Sequence, residues 1–247
     1  MKTRPKILTI AGFDPSGGAG ILADIKTIEA NKCLGFAVCT ANTIQNENEF
    51  VSPNWIAEEE VFAQLDVLMK IHKFDYVKIG LISSSKFLRI INSKLITQNP
   101  SLKIIWDPIL SASAGFDFKH DLSDLKTVLK DIYLITPNWN EILQLSGKTD
   151  AIEGATYLAQ FTNVYLKGGH HPTAKGKDYL FFDGNVNIFN PKKKVNYEKH
   201  GSGCVFSSAL TANFAKKHPV VKACLRSKSY MYKFLNSTPT LLGTHHL

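Results

Sequence analysis

The sequence predicts an α/β protein whose sheet is mainly parallel and is flanked by helices on both faces. Short apolar runs rich in β-branched residues alternate with longer segments in which apolar residues recur at helical spacing. This alternation is typical of parallel strands that are joined by helical crossovers. Two further apolar runs flank Asp183-Gly184-Asn185, a turn sequence that predicts a small antiparallel hairpin at one edge of the sheet.

The individual elements can be assigned in chain order. Six strands are predicted from apolar runs of four to six residues, namely Lys6–Ala11, Phe36–Thr40, Tyr76–Ile79, Lys103–Trp106, Ile132–Ile135 and Asn163–Leu166. Helical spacing predicts a helix over Gly20–Lys32, in which Ile21, Ile25 and Ile28 share one face, and another helix over Ala57–His72. The chain closes with the hairpin strands Leu180–Phe182 and Val186–Phe189 and with two helices, about Gly203–Lys217 and Pro219–Leu235.

The composition is that of a folded globular protein. With 44% hydrophobic and 20% charged residues, the chain is not of the disordered class, and no change of composition marks a linker, so we expect one domain over residues 1–247. The apolar run Ile7–Ala11 is too short for a signal peptide or a membrane span, which predicts a cytoplasmic protein. The four cysteines, at positions 33, 39, 204 and 224, form no Cys-x-x-Cys pair, which favours reduced thiols over a zinc site or a disulfide framework.

The positive charge is concentrated in the last third of the chain. The formal net charge is +8, and residues 161–247 contain 13 Lys/Arg against 3 Asp/Glu. This excess indicates either an anionic partner, such as nucleotide phosphates or a nucleic acid, or simply a solvated basic surface. The sequence contains no helix-turn-helix, zinc-finger or aromatic ribonucleoprotein motif, so we expect no nucleic-acid partner.

A first glycine loop (residues 12–20) follows the first predicted strand and precedes a helix. It reads Gly12-Phe-Asp-Pro-Ser-Gly-Gly-Ala-Gly20, with four glycines that allow the backbone to approach a ligand closely. The loop lacks the Gly-Lys-Ser/Thr end of a Walker A motif and does not fit G-x-G-x-x-G. A tight connection between strand and helix would need only one or two glycines, so the pattern favours a binding role.

Two polar residues near this loop could recognise a heterocycle. Asp24 lies one turn into the first helix, and Gln45 follows the second strand. A carboxylate and a primary amide can bind the ring nitrogens and amino group of a heteroaromatic ligand. Taken individually, a residue of either type at such a position is more often an ordinary surface polar group.

A second glycine loop (residues 200–204) reads His200-Gly-Ser-Gly-Cys204 and starts a helix. The free backbone N–H groups and the helix dipole at this position favour an anion. The same environment should lower the pKa of the Cys204 thiol, which could then act as a base or a nucleophile. The alternative is a helix start at which the cysteine merely packs.

Further polar residues follow the later strands and should lie at the same edge of the sheet. Asn138 and Glu141 have the spacing of a capping box, yet the carboxylate could also hold a water of a magnesium ion. Lys167, before two glycines, could neutralise phosphate charge, and Asp107 is a further carboxylate or a turn initiator. The terminal pair His245-His246 is expected to be a frayed tail.

Together these segments resemble the hydroxymethylpyrimidine/phosphomethylpyrimidine kinases of thiamine biosynthesis, within the ribokinase superfamily. The resemblance runs from Ile7 to about Ser208. It is carried by the stretch from Thr9 to Gly20 with Ala23-Asp-Ile-Lys26, by Thr43-Ile-Gln-Asn46, Lys78-Ile-Gly80, Asp107-Pro108 and Ile135-Thr-Pro-Asn138 with Glu141, and by Lys167-Gly-Gly-His170 and His200-Gly-Ser-Gly-Cys204. The order and spacing of all seven pieces are more specific than any one of them.

The resemblance implies a ribokinase-like fold, ATP and Mg²⁺ as cofactors, a homodimer, and a set of site residues. The positions that match the family's pyrimidine site are Gly12, Asp24, Gln45 and Leu81. Those that match its ATP and phosphate site are Lys167, Asn138 and Asp107, with Glu141 near magnesium. Those that match its anion hole are Gly201, Ser202, Gly203 and Cys204, with the cysteine where most ribokinase relatives have an aspartate base.

The sequence departs from the family at several positions. Phe13 replaces a small hydroxyl residue, Ser202 replaces a usual threonine, and the glycine-rich C-terminal end is reduced to Leu242-Gly-Thr-His245. Two other functions therefore remain open. A pyridoxal or pyridoxine kinase uses a similar site on a similar ring with a hydroxymethyl arm, and a non-catalytic sensor would bind the pyrimidine without turnover.

Overall fold

The computed structural model describes residues 3–111, 118, 122, 124–191 and 195–246. Within them the strands are β1 (Lys6–Phe13), β2 (Leu34–Gln45), β3 (Phe50–Trp55), β4 (Tyr76–Ile79), β5 (Lys103–Trp106), β6 (Leu134–Ile135), β7 (Asn163–Leu166), β8 (Asp178–Phe182) and β9 (Asn185–Phe189). The helices are α1 (Gly20–Ala30), α2 (Glu58–Ile71), α3 (Ser85–Gln98), α4 (Leu125–Leu129), α5 (Trp139–Ser146), α6 (Ala151–Leu158), α7 (Ser202–Ala215) and α8 (Val220–Leu235). In the described ranges no helix is long and apolar enough to cross a membrane.

The strands form one sheet in the order β3-β2-β1-β4-β5-β6-β7-β8-β9. Within this order β2, β1, β4, β5, β6 and β7 are parallel to one another. Strand β8 pairs antiparallel with β7, and β8 and β9 form the antiparallel hairpin that the turn at Asp183 predicts. The predicted fold class is therefore confirmed. The strand β3, which pairs antiparallel with β2 at the opposite edge, is not predicted from the sequence. Pro53 and the polar residues around it conceal this strand, and proline is tolerated there because β3 is an edge strand.

Helices pack on both faces of the sheet because its central strands are apolar on both sides. On one face, Leu8 and Ile10 of β1 join the large core that includes Leu65 of α2 and Leu88 of α3. On the other face, Ile105 of β5 packs with residues of α7 and α8. Such two-sided burial is the arrangement expected of parallel strands with helical crossovers.

Candidate active site

The carboxyl ends of the parallel strands place most of the candidate residues at one edge of the sheet. The first glycine loop leaves β1, Gln45 ends β2, Leu81 follows β4, Asp107 follows β5, and Lys167 follows β7. The second glycine loop leads into α7, which packs against α1, β1, β4 and β5. Ligands of open α/β sheets bind at this edge.

The first glycine loop is organised by the buried carboxylate of Asp14. Asp14 Oδ1 accepts hydrogen bonds from the Ser16 N–H at 2.8 Å and the Ser16 hydroxyl at 2.9 Å. Asp14 Oδ2 accepts from the Ala19 N–H at 2.8 Å and lies 2.9 Å from His200 Nε2 in the second loop. Burial alone would raise the pKa of Asp14, but these donors outweigh it and lower the pKa, so the carboxylate is ionised at neutral pH.

The two glycine loops are in direct backbone contact. Gly201 has φ +67°, and a Cβ atom there would lie 2.1 Å from the Gly18 carbonyl oxygen. Within the first loop itself, Gly20 has φ +58°, and a Cβ atom there would lie 2.2 Å from the Gly12 carbonyl oxygen. Only glycine allows this approach at both positions, because its backbone accepts positive φ and has no side chain to clash. The two segments identified from sequence thus form one continuous surface.

The second glycine loop presents the N-terminus of α7 at this surface. Gly201 is the N-cap residue, and no described side chain caps the helix. The first-turn N–H groups of a helix have no intrahelical acceptor, and the helix dipole places positive potential on them. The geometry therefore suits a phosphate or another anion, as the sequence predicts.

The expectation of a lowered pKa for Cys204 is wrong. The thiol is 6% exposed, and burial raises its pKa to about 12, although Lys78 and the Gly20 N–H act in the opposite direction. The carboxylates of Asp24 and Asp107 reinforce the effect of burial. Desolvation and two nearby anions thus outweigh the helix dipole, and Cys204 is a neutral thiol at neutral pH.

Gly12, Leu81 and Gln45 lie near one another at the end of β1. A Cβ atom at Gly12 would lie 3.0 Å from Leu81 Cδ2 and 3.6 Å from Thr43 Cγ2. The Gln45 amide donates to Thr43 Oγ1 at 2.7 Å, and Thr43 donates to the Phe13 carbonyl at 2.8 Å. A glycine surface, an apolar side chain and a primary amide are therefore brought together, as a small heteroaromatic ring requires.

Asp24 lies deeper than the sequence analysis anticipated. Its carboxylate is fully buried and ion-paired with Lys78 Nζ at 2.8 Å, and it accepts hydrogen bonds from Thr9 at 2.6 Å and Ser208 at 2.7 Å. Burial would lower the pKa of the fully buried Lys78 ammonium, but the carboxylates of Asp24 and Asp107 outweigh this effect and raise the pKa overall. Asp24 therefore joins β1, β4, α1 and α7 beneath the two glycine loops.

Replacing Lys78 with methionine is expected to lower the free energy of unfolding by about 3–5 kcal/mol, because Asp24 would keep a buried charge without a partner. The measurement is urea denaturation at neutral pH. The double variant Lys78→Met/Asp24→Asn removes both charges and should recover much of the loss. Lys175→Met, which breaks an exposed pair with Glu198, is the matched control and should change stability little. A Lys78→Met protein as stable as the wild type would contradict this account.

A second buried charge cluster joins the ends of β5, β6 and β7. Lys167 Nζ lies 2.7 Å from Asp107 Oδ1 and 3.7 Å from Glu141 Oε2, and Thr136 donates to Asp107 Oδ1 at 3.0 Å. Burial would raise the pKa of Asp107, but Lys167 and Lys78 lower it overall. Burial raises the pKa of Glu141 to about 7 against the opposing effect of Lys167. Asp107 is thus ionised at neutral pH, whereas Glu141 is close to its titration point.

This cluster faces the start of α7. A Cβ atom at Gly203 would lie 3.1 Å from Lys167 Nζ and 3.6 Å from Asp107 Oδ2. Ser207, one turn further along α7, is 3.3 Å from Asp107 Oδ2. The structure therefore brings the ammonium group of Lys167 to the uncapped helix N-terminus, and both favour negative charge at the same place.

Asn138 and Glu141 form the capping box that their spacing predicts. Asn138 Oδ1 accepts from the Asn140 and Glu141 N–H groups at 2.9 Å each, and Glu141 Oε2 accepts from the Asn138 N–H at 2.6 Å. The Lys167 N–H donates to the Pro137 carbonyl at 2.8 Å. The start of α5 and the end of β7 are therefore held side by side.

A family model for phosphomethylpyrimidine kinase matches residues 14–246. The chain belongs to this family. A curated hydroxymethylpyrimidine/phosphomethylpyrimidine kinase of Staphylococcus aureus (strain Mu50) is 31% identical over an alignment of 253 positions, which covers 96% of this chain and 91% of that protein.

Two solved structures are similar to the whole fold. A phosphomethylpyrimidine kinase from Clostridium difficile 630 has a TM-score of 0.78 and 26% identity, covering 93% of this chain and 99% of that one. A Bacillus subtilis pyridoxal kinase in an ADP complex has a TM-score of 0.82 and 26% identity, covering 98% of each chain. The ribokinase-like fold expected from the resemblance is therefore confirmed.

In this member of the phosphomethylpyrimidine kinase family, His245 packs against the body of the protein, so the expectation of a frayed tail is wrong for this residue. The Leu241 carbonyl accepts from the His200 N–H at 3.0 Å. His245 Nδ1 lies 2.8 Å from the Tyr230 hydroxyl and 3.4 Å from Thr27 Oγ1, and its ring packs 4.9 Å from that of Phe234. The tail therefore connects α8, α1 and the second glycine loop.

Acidification is expected to destabilise the protein through His245. Burial lowers the pKa of this residue from 6.5 to about 4, with smaller effects of Lys26 and His246 in the same direction. The unfolded chain takes up a proton near pH 6.5, whereas the folded protein does so only near pH 4, so this contribution to stability is present above pH 6.5 and is lost as the pH falls towards 4. Urea denaturation at several pH values should show that the free energy of unfolding falls less with acidification in His245→Phe than in the wild type. His246→Phe is the matched control, and equal pH dependence in all three proteins would contradict the prediction.

Two important groups of this family member are not predicted by the local sequence pattern. Lys78 belongs to a matching motif that assigns it no role, and the pairing of Asp14 with His200 has no local signal. A lysine inside the apolar strand Tyr76–Ile79 was an available signal, because a buried lysine needs an anionic partner. The Asp14–His200 contact spans 186 residues of sequence, and no local pattern predicts it.

Proposed function

We propose that this protein transfers the γ-phosphoryl group of ATP to the hydroxymethyl group of 4-amino-5-hydroxymethyl-2-methylpyrimidine and then to its monophosphate, in thiamine biosynthesis. The observation that carries the proposal is the uncapped N-terminus of α7 beside the Lys167 ammonium, directly behind the first glycine loop. Phosphoryl transfer depends chiefly on positioning and charge stabilisation, and this arrangement supplies both. Membership of the phosphomethylpyrimidine kinase family supports the choice of substrate.

The substrate ring is proposed to bind at the end of β1. The backbone at Gly12 and the side chain of Leu81 would contact the ring faces, and the Gln45 amide would bind its polar edge. Asp24 is proposed to support this pocket from below. Its oxygens already accept hydrogen bonds from Thr9, Lys78 and Ser208, so direct contact with the ring would require one of these to be exchanged.

The phosphates are proposed to bind between α7 and the cluster of Lys167, Asp107 and Asn138. A phosphate that binds at Lys167 would interact with an ammonium group that also pairs with Asp107, 2.7 Å away. The carboxylates of Asp107 and Glu141 are hard oxygen donors, and Mg²⁺ is commonly held by one or two carboxylates together with water and phosphate oxygens. These residues therefore fit Mg²⁺, with Glu141 acting through water, and the ion would neutralise phosphate charge.

In the proposed transfer step, the substrate hydroxyl oxygen forms a bond to the γ-phosphorus while the bond from that phosphorus to the bridging oxygen of ADP breaks. The N–H groups of Gly201, Ser202, Gly203 and Cys204 stabilise the charge on the transferring group. A thiol with a pKa of about 12 is a poor base in its neutral form, so Cys204 orients the hydroxyl by hydrogen bonding. The hydroxyl proton leaves late and ends on solvent or on the phosphate product.

Pyridoxal kinase activity is the second candidate. The similarity to the Bacillus subtilis pyridoxal kinase covers 98% of both chains. The described residues of the proposed ring pocket, Gly12, Gln45 and Leu81, could contact a pyridine as well as a pyrimidine. A non-catalytic sensor is disfavoured, because Lys167, Glu141 and the second glycine loop are all in place.

The test is ATP consumption in the presence of Mg²⁺, with the hydroxymethylpyrimidine, its monophosphate and pyridoxal offered separately. Turnover of both pyrimidines would establish the bifunctional pyrimidine kinase. Turnover of pyridoxal alone would show that the proposed substrate is wrong, while the proposed roles of the site residues would stand. Tight binding of one compound without turnover of any would overturn the proposed catalysis.

Three further features are part of the proposal. Residues 1–247 act as a single kinase domain, the protein is a homodimer, and it works in the cytoplasm. The single nine-stranded sheet supports the first of these.

A further inference from the structure

A polar side-chain contact between Asp14 and His200 joins the two glycine loops. Asp14 Oδ2 lies 2.9 Å from His200 Nε2, and the side chains are 1% and 5% exposed. Because the carboxylate is ionised and can only accept, the proton of this hydrogen bond resides on Nε2. The bond is therefore directional and shielded from water.

Each partner also fixes the backbone of its own loop. Asp14 accepts from the N–H groups of Ser16 and Ala19, which closes the first loop around the carboxylate. His200 donates its own N–H to the Leu241 carbonyl of the C-terminal tail. Movement of the Asp14 side chain would therefore disturb the backbone of the first loop, whereas the main-chain bond of His200 ties the second loop to the tail.

The ring of His200 also controls the close contact between the loops. It packs so tightly against Gly18 that a Cβ atom there would lie 2.7 Å from His200 Cδ2. The next residue, Gly201, has a φ of +67° and lies against the Gly18 carbonyl oxygen. A displaced imidazole would thus shift the N-cap of α7, whose N–H groups face the proposed phosphate.

We propose that His200 is a positioning residue, which holds the anion-binding start of α7 against the substrate loop through its Nε2–H hydrogen bond to Asp14. The inference rests on the proposed function and adds a residue to it. His200 acts through Asp14 and Gly201 and needs no contact with substrate.

The test compares two amide variants, each of which keeps a nitrogen at the position of only one of the two imidazole nitrogens. In His200→Gln the amide nitrogen can occupy the place of Nε2 and donate to Asp14, whereas in His200→Asn it corresponds to Nδ1 and does not reach. His218→Asn, the same change beyond the far end of the 14-residue helix α7, is the matched control.

With the pyrimidine that the wild type turns over, His200→Asn is expected to lower kcat by about 10–100-fold, because small misplacements of the reacting groups have effects of this size. The KM for the pyrimidine should change little. His200→Gln should stay within about threefold of the wild type, since it restores the donor. Equal activities of His200→Asn and the wild type, or equal losses in both amide variants, would overturn the inference.

A second readout is independent of the reaction. Amide hydrogen exchange should be faster at Ala19 and Val205 in His200→Asn, because these N–H groups donate to Asp14 Oδ2 and to the Gly201 carbonyl. Exchange should be unchanged in His200→Gln and His218→Asn. If the wild type phosphorylates none of the compounds, the proposed function fails while the exchange pattern still decides the positioning role. Unchanged exchange in His200→Asn would refute that role even in an active kinase.

Discussion

Replacement of Gly201 by alanine is expected to lower kcat/KM by at least about 10²-fold and to destabilise the protein. The new Cβ atom would lie 2.1 Å from the Gly18 carbonyl oxygen and 2.7 Å from Ala19 Cα. Both neighbours are backbone atoms of the first loop, so the clash cannot be relieved by rotating a side chain. The loops must separate, which moves the N-terminus of α7 away from the substrate pocket.

The control for Gly201→Ala is Gly147→Ala. Gly147 ends α5 with φ +65°, nearly the same as the +67° of Gly201, but a Cβ atom there would meet nothing within 4 Å. It therefore measures the backbone strain alone, which costs about 1–3 kcal/mol for a residue other than glycine. Steady-state kinetics and urea denaturation should show that Gly201→Ala loses activity and Gly147→Ala does not. A fully active Gly201→Ala enzyme would mean that the close contact between the loops is not needed.

Replacement of Cys204 by alanine is expected to lower kcat about 10²-fold while folding and nucleotide binding remain intact. Alanine is smaller than cysteine and fits the first turn of α7, but it cannot orient the substrate hydroxyl. Cys204→Ser retains a hydrogen-bonding group and should lose less activity than Cys204→Ala. An unchanged kcat in Cys204→Ala would remove this residue from the mechanism.

The pH dependence separates the two possible roles of Cys204. A thiol with a pKa of about 12 does not titrate near neutrality, so the wild type and Cys204→Ser should share one pH profile of kcat between about pH 6 and 9. An alkaline rise present only in the wild type would show that the thiolate acts as a base when substrate is bound.

The order of the elements could be predicted from the sequence because it depends on local patterns. Apolar runs marked β1, β4, β5 and β7, and the turn at Asp183 marked the hairpin. The edge strand β3 could not be predicted, because its pairing with β2 compensates for Pro53 and the two polar residues beside it, Ser52 and Asn54. Pairing between strands is a tertiary effect that overrides local preference.

The same distinction between local patterns and tertiary effects applies to the candidate site. The glycine spacing correctly predicts two loops at one edge of the sheet, and the four residues from Asn138 to Glu141 are enough to predict the capping box. The pKa of Cys204 could not be predicted, because it depends on how deeply α7 is buried and on Asp24 and Asp107, which are distant in sequence. The depth of Asp24 likewise follows from its pairing with Lys78 across 54 residues.

The most direct test of the central claim is a crystal structure of the protein with AMP-PCP, Mg²⁺ and the hydroxymethylpyrimidine. The account predicts the terminal phosphate within hydrogen-bonding distance of the Gly201–Cys204 N–H groups, and the ring beside Gly12, Gln45 and Leu81 with its hydroxymethyl arm directed at that phosphate. A pyrimidine bound away from the first glycine loop, or a terminal phosphate away from the start of α7, would contradict it.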